Sequence, residues 1–155
     1  MQQSLRESPE PQMQGEPEQQ NGAAYLLDTQ TCAAILTRSD AGVMRRLEEV
    51  AVGDVAISAV TLSELMYAVT MSRRAEQDRA ALDLLLRHVA VLEYPAAAAA
   101  RYAAMGEAFF YKQGTVGAHE LLVAAHAGCV GRTLVTSRAR ELGLAPGFVG
   151  ESWGG

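Results

Sequence analysis

Between residues 23 and 149 the chain alternates short apolar runs with stretches of helical period. Three- and four-residue runs such as Tyr25-Leu-Leu27, Val55-Ala-Ile-Ser58 and Thr133-Leu-Val-Thr136 are too short for helices and suit strands buried on both faces. That alternation is the mark of α/β units wrapped around a parallel sheet. The pattern predicts strands over 24–27, 55–58, 91–94, 133–136 and 147–149. Between them it predicts helices over 31–37, 42–50, 61–69, 74–89 and 118–127, a short helix near Ala139, and one opened by Pro95 and ended by Gly114. Tyr102, Met105 and Phe109 mark the buried side of the helix after Pro95, and Leu62, Leu65, Met66 and Val69 make one stripe along 61–69.

Residues 1–22 are Gln, Glu, Pro and Ser without apolar period, the composition of a tail that cannot repay its ordering entropy. The expected organisation is a disordered polar tail over 1–22, with Met13 an alternative start, and one domain over 23–153. No apolar stretch approaches the roughly 20 residues needed to span a bilayer, and the amino end is polar where a signal peptide is apolar. A cytoplasmic protein away from the membrane is expected, with Cys32 and Cys129 as two reduced, buried thiols. The net charge of −5 argues against holding nucleic acid by bulk electrostatics alone, yet four of the acids (Glu7, Glu10, Glu16, Glu18) lie in the tail. The arginines at 38, 45, 46, 73, 74, 79 and 87 fit solvated faces of amphipathic helices better than one nucleic-acid patch.

Three acids stand where an apolar run stops or starts: Asp28, Glu64 and Glu120. In open α/β folds such positions converge on a crevice at the carboxyl ends of the strands, and clustered carboxylates chiefly hold Mg²⁺ or Mn²⁺. Each also has a plainer role. Asp28 suits an N-cap, Thr61-x-x-Glu64 has the form of a capping box, and Glu120 in a first helical turn complements the helix dipole. Glu64 lies about 160° from the centre of its helix's apolar stripe, so its carboxylate faces away from the core. Zinc is not expected, because His126 comes seven residues after His119 where the metalloprotease spacing needs four, and His88 and His126 read as ordinary helix residues.

The strings Tyr25-Leu-Leu-Asp-Thr29, Val55-Ala-Ile-Ser-Ala-Val-Thr-Leu-Ser-Glu-Leu65, Gly114-Thr115, Glu120-Leu-Leu-Val-Ala-Ala-His-Ala127, Thr133-Leu-Val-Thr136 and Pro146-Gly-Phe148 through Trp153 occur in this order. Together they resemble the PIN-domain ribonucleases, most of all the VapC toxins of toxin-antitoxin pairs. The resemblance implies a three-layer α/β/α sandwich with a central parallel sheet, and a metal-dependent endoribonuclease that cuts RNA, often tRNA. It implies Mg²⁺ or Mn²⁺ on Asp28, Glu64 and Glu120, with Asp28 and Glu120 as the main ligands and Glu64 orienting or deprotonating the attacking water. Thr29, Gln30, Thr136 and Ser137 are expected to support the site. A cognate antitoxin and a homodimer are the implied partners. Three positions depart from the family pattern: Gln30 replaces an Asn, Glu120 replaces an Asp, and Ser137-Arg138 stands where an Asn or Asp pair or a single acid is usual. An internal cation at Arg138 favours the alternative of a degenerate PIN domain that binds antitoxin or RNA without cutting. A receiver-like phosphoacceptor is weaker, since the chain has no acidic pair at its first strand and its one lysine, Lys112, ends a predicted helix.

Overall fold

The computed structural model describes residues 24–110 and 116–154. The expectations for the tail, for Lys112 and for Gly114-Thr115 fall outside those residues. Five strands, β1 (Tyr25–Leu27), β2 (Val55–Ser58), β3 (Ala90–Leu92), β4 (Thr133–Val135) and β5 (Gly150–Glu151), form one parallel sheet in the order β3-β2-β1-β4-β5. Seven helices flank it: α1 (Thr29–Thr37), α2 (Ala41–Glu49), α3 (Ala59–Thr70), α4 (Ala75–Leu86), α5 (Ala98–Phe110), α6 (Ala118–Val130) and α7 (Ala139–Leu142).

The strand register divides the core by the two-residue period of a pleated strand. Tyr25, Leu27, Val55, Ile57 and Val135 point to one side, where they meet Cys32, Val43, Leu65, Val69, Leu82, Leu85 and Trp153. Leu26, Ala56 and Leu134 point to the other, against Met105, Phe109, Leu121, Ala124 and Leu142 from α5, α6 and α7. Helices therefore cover both faces, and the three-layer sandwich expected from the sequence is present. The chain steps from β1 to β2 on one side while β4 lies on the other, so β1 sits at a topological switch point, where open α/β sheets form their crevice.

Several boundaries differ from expectation for local reasons. Helix α3 starts at Ala59 because Ser58 caps it, its Oγ accepting from the Val60 amide at 3.1 Å. Its inner stripe is Thr61, Leu65 and Val69 with Leu62 half-buried, whereas Met66 is 41% exposed. Helix α2 is capped by Asp40, which accepts from Gly42 and Val43. Pro95 precedes α5, in a turn closed by bonds from Ala98 and Ala99 back to Pro95 and Ala96. The last strand lies later than 147–149: Gly147 (φ 72°) and the bond from Phe148 to Ala145 hold those residues in a turn, and pairing with β4 begins at Gly150. Cys32 is buried and Cys129 half-buried, and both are free thiols. Burial, with the Asp28 charge second, pushes the Cys32 thiol far above its ordinary range, which makes it inert. No helix among the described residues is long and apolar enough to cross a membrane.

Candidate carboxylate site

Asp28 leaves the carboxyl end of β1 in extended backbone, anchored by its amide to Val135 at 3.0 Å, and caps α1 through Oδ1 on the Thr31 amide at 2.8 Å. The capping role is therefore real, and among the described residues it uses one carboxylate oxygen. Glu64 has no capping role: with α3 starting at Ala59, Thr61 is already inside the helix, buried, and its hydroxyl has no partner among the described residues. Glu64 instead accepts from the Thr29 hydroxyl at 2.9 Å and stands 3.4 Å from His119 Nδ1. Glu120, in the first turn of α6, reaches back to the Gly117 amide at 3.0 Å, and glycine offers no side chain in return. Its other oxygen is 3.5 Å from the Arg138 guanidinium.

These three carboxylates, delivered by β1, α3 and α6, line one cavity of about 230 Å³ together with Thr29, Gln30, His119 and Val123. The sequence-predicted supporting residues divide. Thr29 orients Glu64, and Gln30 lies at the wall with Ser137 Oγ 3.5 Å away. Thr136 is not part of the cavity: it is 2% exposed, and its hydroxyl accepts from the Arg138 amide at 3.0 Å. His119 faces Glu64, a placement that its helical neighbour Glu120 hinted at and the zinc spacing obscured.

Three carboxylates and a threonine hydroxyl make an all-oxygen donor set, the type a hard divalent cation takes. In the arrangement described, no three His, Cys, Asp or Glu side chains among the described residues stand close enough to hold one ion together. Glu64 is engaged by Thr29 and His119, and Glu120 by Gly117 and Arg138. Both are flexible glutamates, and pairs at 3.4–3.5 Å with partly exposed partners are worth about 0–1 kcal/mol each. In chemical type the donor set of this cavity suits such a cation.

The sequence match to the family model of the PIN domain runs over residues 25–140, most of the described chain and all three carboxylates. The chain belongs to the PIN domain family. This PIN domain is 30% identical over 130 residues to ribonuclease VapC2 of Rickettsia felis, a match covering 83% of the chain and 97% of the relative. It is likewise 30% identical over 129 residues to the tRNA(fMet)-specific endonuclease VapC of Shigella flexneri, covering 83% and 97%. Its fold superposes on VapBC2 from Rickettsia felis bound to a DNA fragment from their promoter, with a TM-score of 0.76 at 29% identity, covering 84% of this chain and 98% of that one. FitAcB from Neisseria gonorrhoeae shares the fold at 22% identity, with a TM-score of 0.68 and coverage of 81% and 95%.

Away from the cavity, the PIN domain buries a polar pair that its sequence did not advertise. His126, read as an ordinary helix residue, has no exposed surface, and its Nδ1 lies 2.8 Å from Ser58 Oγ. Burial, and then the positive charge of Arg132, lowers its pKa from the ordinary 6.5. The unfolded chain thus takes up this proton first as pH falls, so the fold loses stability below about pH 6.5 until the folded pKa is passed. Thermal melts are expected to show a lower Tm at pH 5.5 than at pH 7.5, with a shallower decline in His126→Asn.

Proposed function

We propose that this PIN domain is an endoribonuclease, the toxin of a toxin-antitoxin pair, with tRNA as its substrate and a site that works with Mg²⁺ or Mn²⁺. The observation that carries the reading is the meeting of Asp28, Glu64 and Glu120, from three separate elements, on one cavity at the carboxyl edge of the sheet. The likeness to ribonuclease VapC2 and to a tRNA(fMet)-specific endonuclease supports the reaction and the substrate class. The likeness to VapBC2 supports a cognate antitoxin, and a homodimer in the cytoplasm completes the proposal.

Asp28, Glu64 and Glu120 would hold the cation, which when bound supplies a polarised water and charge stabilisation at the phosphodiester. The remaining work falls to the chain. Asp28 is held rigid by its cap and its backbone bond to β4, so its carboxylate is pre-set at the switch point. The Thr29 hydroxyl fixes Glu64 Oε1, placing a proton acceptor at the cavity wall. Gln30 and Ser137 offer amide and hydroxyl groups to a phosphate or base at the rim. The substrate expected is a single-stranded loop or bulge, whose unstacked nucleotides can be presented to the three carboxylates.

Incubating the purified chain, free of antitoxin, with a tRNA pool tests this directly. Discrete fragments are expected in Mg²⁺ or Mn²⁺ and none in EDTA. A folded protein that yields no fragments with either ion supports the second reading, a PIN domain that binds without cutting. The pairing of Arg138 with Glu120 is the observation that favours that alternative, since it neutralises one of the three acids from inside the chain. The two readings separate on Arg138→Gln. For a nuclease, freeing Glu120 is expected to lower the Mn²⁺ concentration for half-maximal cleavage about two- to fivefold, the scale of a weak ion pair. For a binding-only domain, the variant is as silent as the parent.

A further inference from the structure

The buried contact between His126 and Ser58 has no place in the chemistry assigned above, and packing alone gives it no reason to exist. Both residues are fully buried. The neighbours of His126 along α6, Ala124, Ala125 and Ala127, are all buried and apolar, and the Tyr94 ring meets the imidazole edge-on at 5.5 Å. His126 Nε2, the Tyr94 hydroxyl and the Thr61 hydroxyl are all buried without a partner among the described residues. Burying polar atoms without partners is costly, and an apolar side chain of similar size would avoid that cost here. Burial, and then the Arg132 charge, lower the His126 pKa, so at pH 7 a neutral ring meets the Ser58 hydroxyl in this hydrogen bond.

What the contact does achieve is geometric. Ser58 Oγ already accepts from the Val60 amide, so one oxygen joins the end of β2, the start of α3 and the middle of α6. Glu64 lies six residues beyond Ser58 on α3, and Glu120 six residues before His126 on α6. At 1.5 Å per residue each carboxylate-bearing position is about 9 Å along its helix from the joint. The two helices pack on each other, so the joint fixes the sliding of one along the other. A slip of about 1 Å at the joint is transmitted along a rigid helix to the backbone positions that carry the two glutamates, which limits where their flexible side chains can place donors for an ion that tolerates little departure from near-ideal octahedral geometry.

We propose that His126 and Ser58 are positioning residues whose hydrogen bond sets the separation of Glu64 and Glu120, and thereby the affinity of the site for a divalent cation. This rests on the reading of Asp28, Glu64 and Glu120 as the cation site. Its signature is a split between stability and affinity. In His126→Leu, Ser58 Oγ keeps its bond to Val60 and the unpaired Nε2 disappears, so the fold has no new buried polar orphan. In His126→Asn, the amide occupies the place of the Nδ1 edge and can restore the bond to Ser58.

The test is Mn²⁺ binding by calorimetry on the full chain, with Tm measured in parallel, for the wild type, His126→Leu, His126→Asn, Ser58→Ala and, as the site control, Asp28→Asn. His126→Leu is expected to keep its Tm and to bind Mn²⁺ about tenfold more weakly or worse. His126→Asn is expected to recover affinity to within about threefold, and Ser58→Ala to lose both affinity and Tm because it also removes the α3 cap. His126→Leu binding as tightly as the wild type overturns the proposal, as does His126→Asn binding as weakly as His126→Leu. So do affinity and Tm falling in step across all three variants, which would make His126 a packing residue; if His126→Leu does not fold, the Asn and Ser58 variants decide. A wild type that does not bind Mn²⁺, or an Asp28→Asn variant that binds it unchanged, overturns the carboxylate reading itself and the proposal with it.

Discussion

Asp28→Asn is expected to leave the fold intact and to cut RNA cleavage by about 10²–10³-fold, the scale associated with removing one well-placed electrostatic contact to a transition state. The choice of Asn matters because Asp28 has two jobs. Its Oδ1 caps α1 on the Thr31 amide at 2.8 Å, and Asn caps about as well as Asp. The amide oxygen can take over that bond while the negative charge vanishes, so a change in Tm of no more than about 2 °C is expected. Asp28→Ala would confound the two, losing roughly 1 kcal/mol of capping together with the charge. The measurement is kcat/KM on the preferred RNA beside a thermal melt of the same preparation. Wild-type cleavage by a folded Asp28→Asn protein would remove Asp28 from the chemistry and reduce it to the helix cap that its position also allows.

The second large effect is on stability, and it comes from the carboxyl end of the domain. Trp153 is 6% exposed and packs with Tyr25 of β1, ring centroids 5.3 Å apart and planes at 70°. Its indole N–H donates to Glu151 at 2.8 Å, and the Arg46 guanidinium sits 5.9 Å from both ring centroids. Arg46 is also 3.7 Å from Glu151, so one indole ties the two-residue edge strand β5 to α2 and to the central strand. Trp153→Ala removes the apolar filling and the indole donor together, at an expected cost of about 3–5 kcal/mol, against a total of about 5–15 kcal/mol for a typical domain. Urea unfolding should show the midpoint falling accordingly, and Tm dropping on the order of 10 °C. Trp153→Phe keeps the ring packing and should recover most of the loss. Should Trp153→Ala unfold within about 1 kcal/mol of the wild type, β5 is a frayed edge and not part of the cooperative fold. The effect reaches the cavity too, because β5 holds the Thr136 amide through the Glu151 carbonyl at 3.0 Å, and Thr136 in turn receives the Arg138 amide beside Glu120.

Local chemistry decided a large part of this molecule. Tyr25-Leu-Leu27, Val55-Ala-Ile-Ser58 and Thr133-Leu-Val135 are strands because runs buried on both faces need no polar alternation, and their neighbours carry helical periods. Sequence pattern also singled out Asp28, Glu64 and Glu120, and those three do share a cavity, although Glu64 lies in the middle of α3 and not at its start. Periodicity failed where a single polar atom moved a boundary: Ser58 started α3 before Thr61 and so dissolved the apparent capping box. It failed again at 147–149, where the pairing partner on β4 and not the local run chose which residues form the edge strand.

Only the tertiary structure could decide which residues became partners across the chain. Thr29 with Glu64, Glu120 with Arg138, His126 with Ser58 and Trp153 with Tyr25 are contacts between separate elements. A sequence displays the period along one helix or strand because neighbouring side chains there are fixed by the backbone's own repeat. It does not display the distance between two helices, which packing sets, and that distance determines whether a buried histidine meets a serine and whether three carboxylates face one cavity.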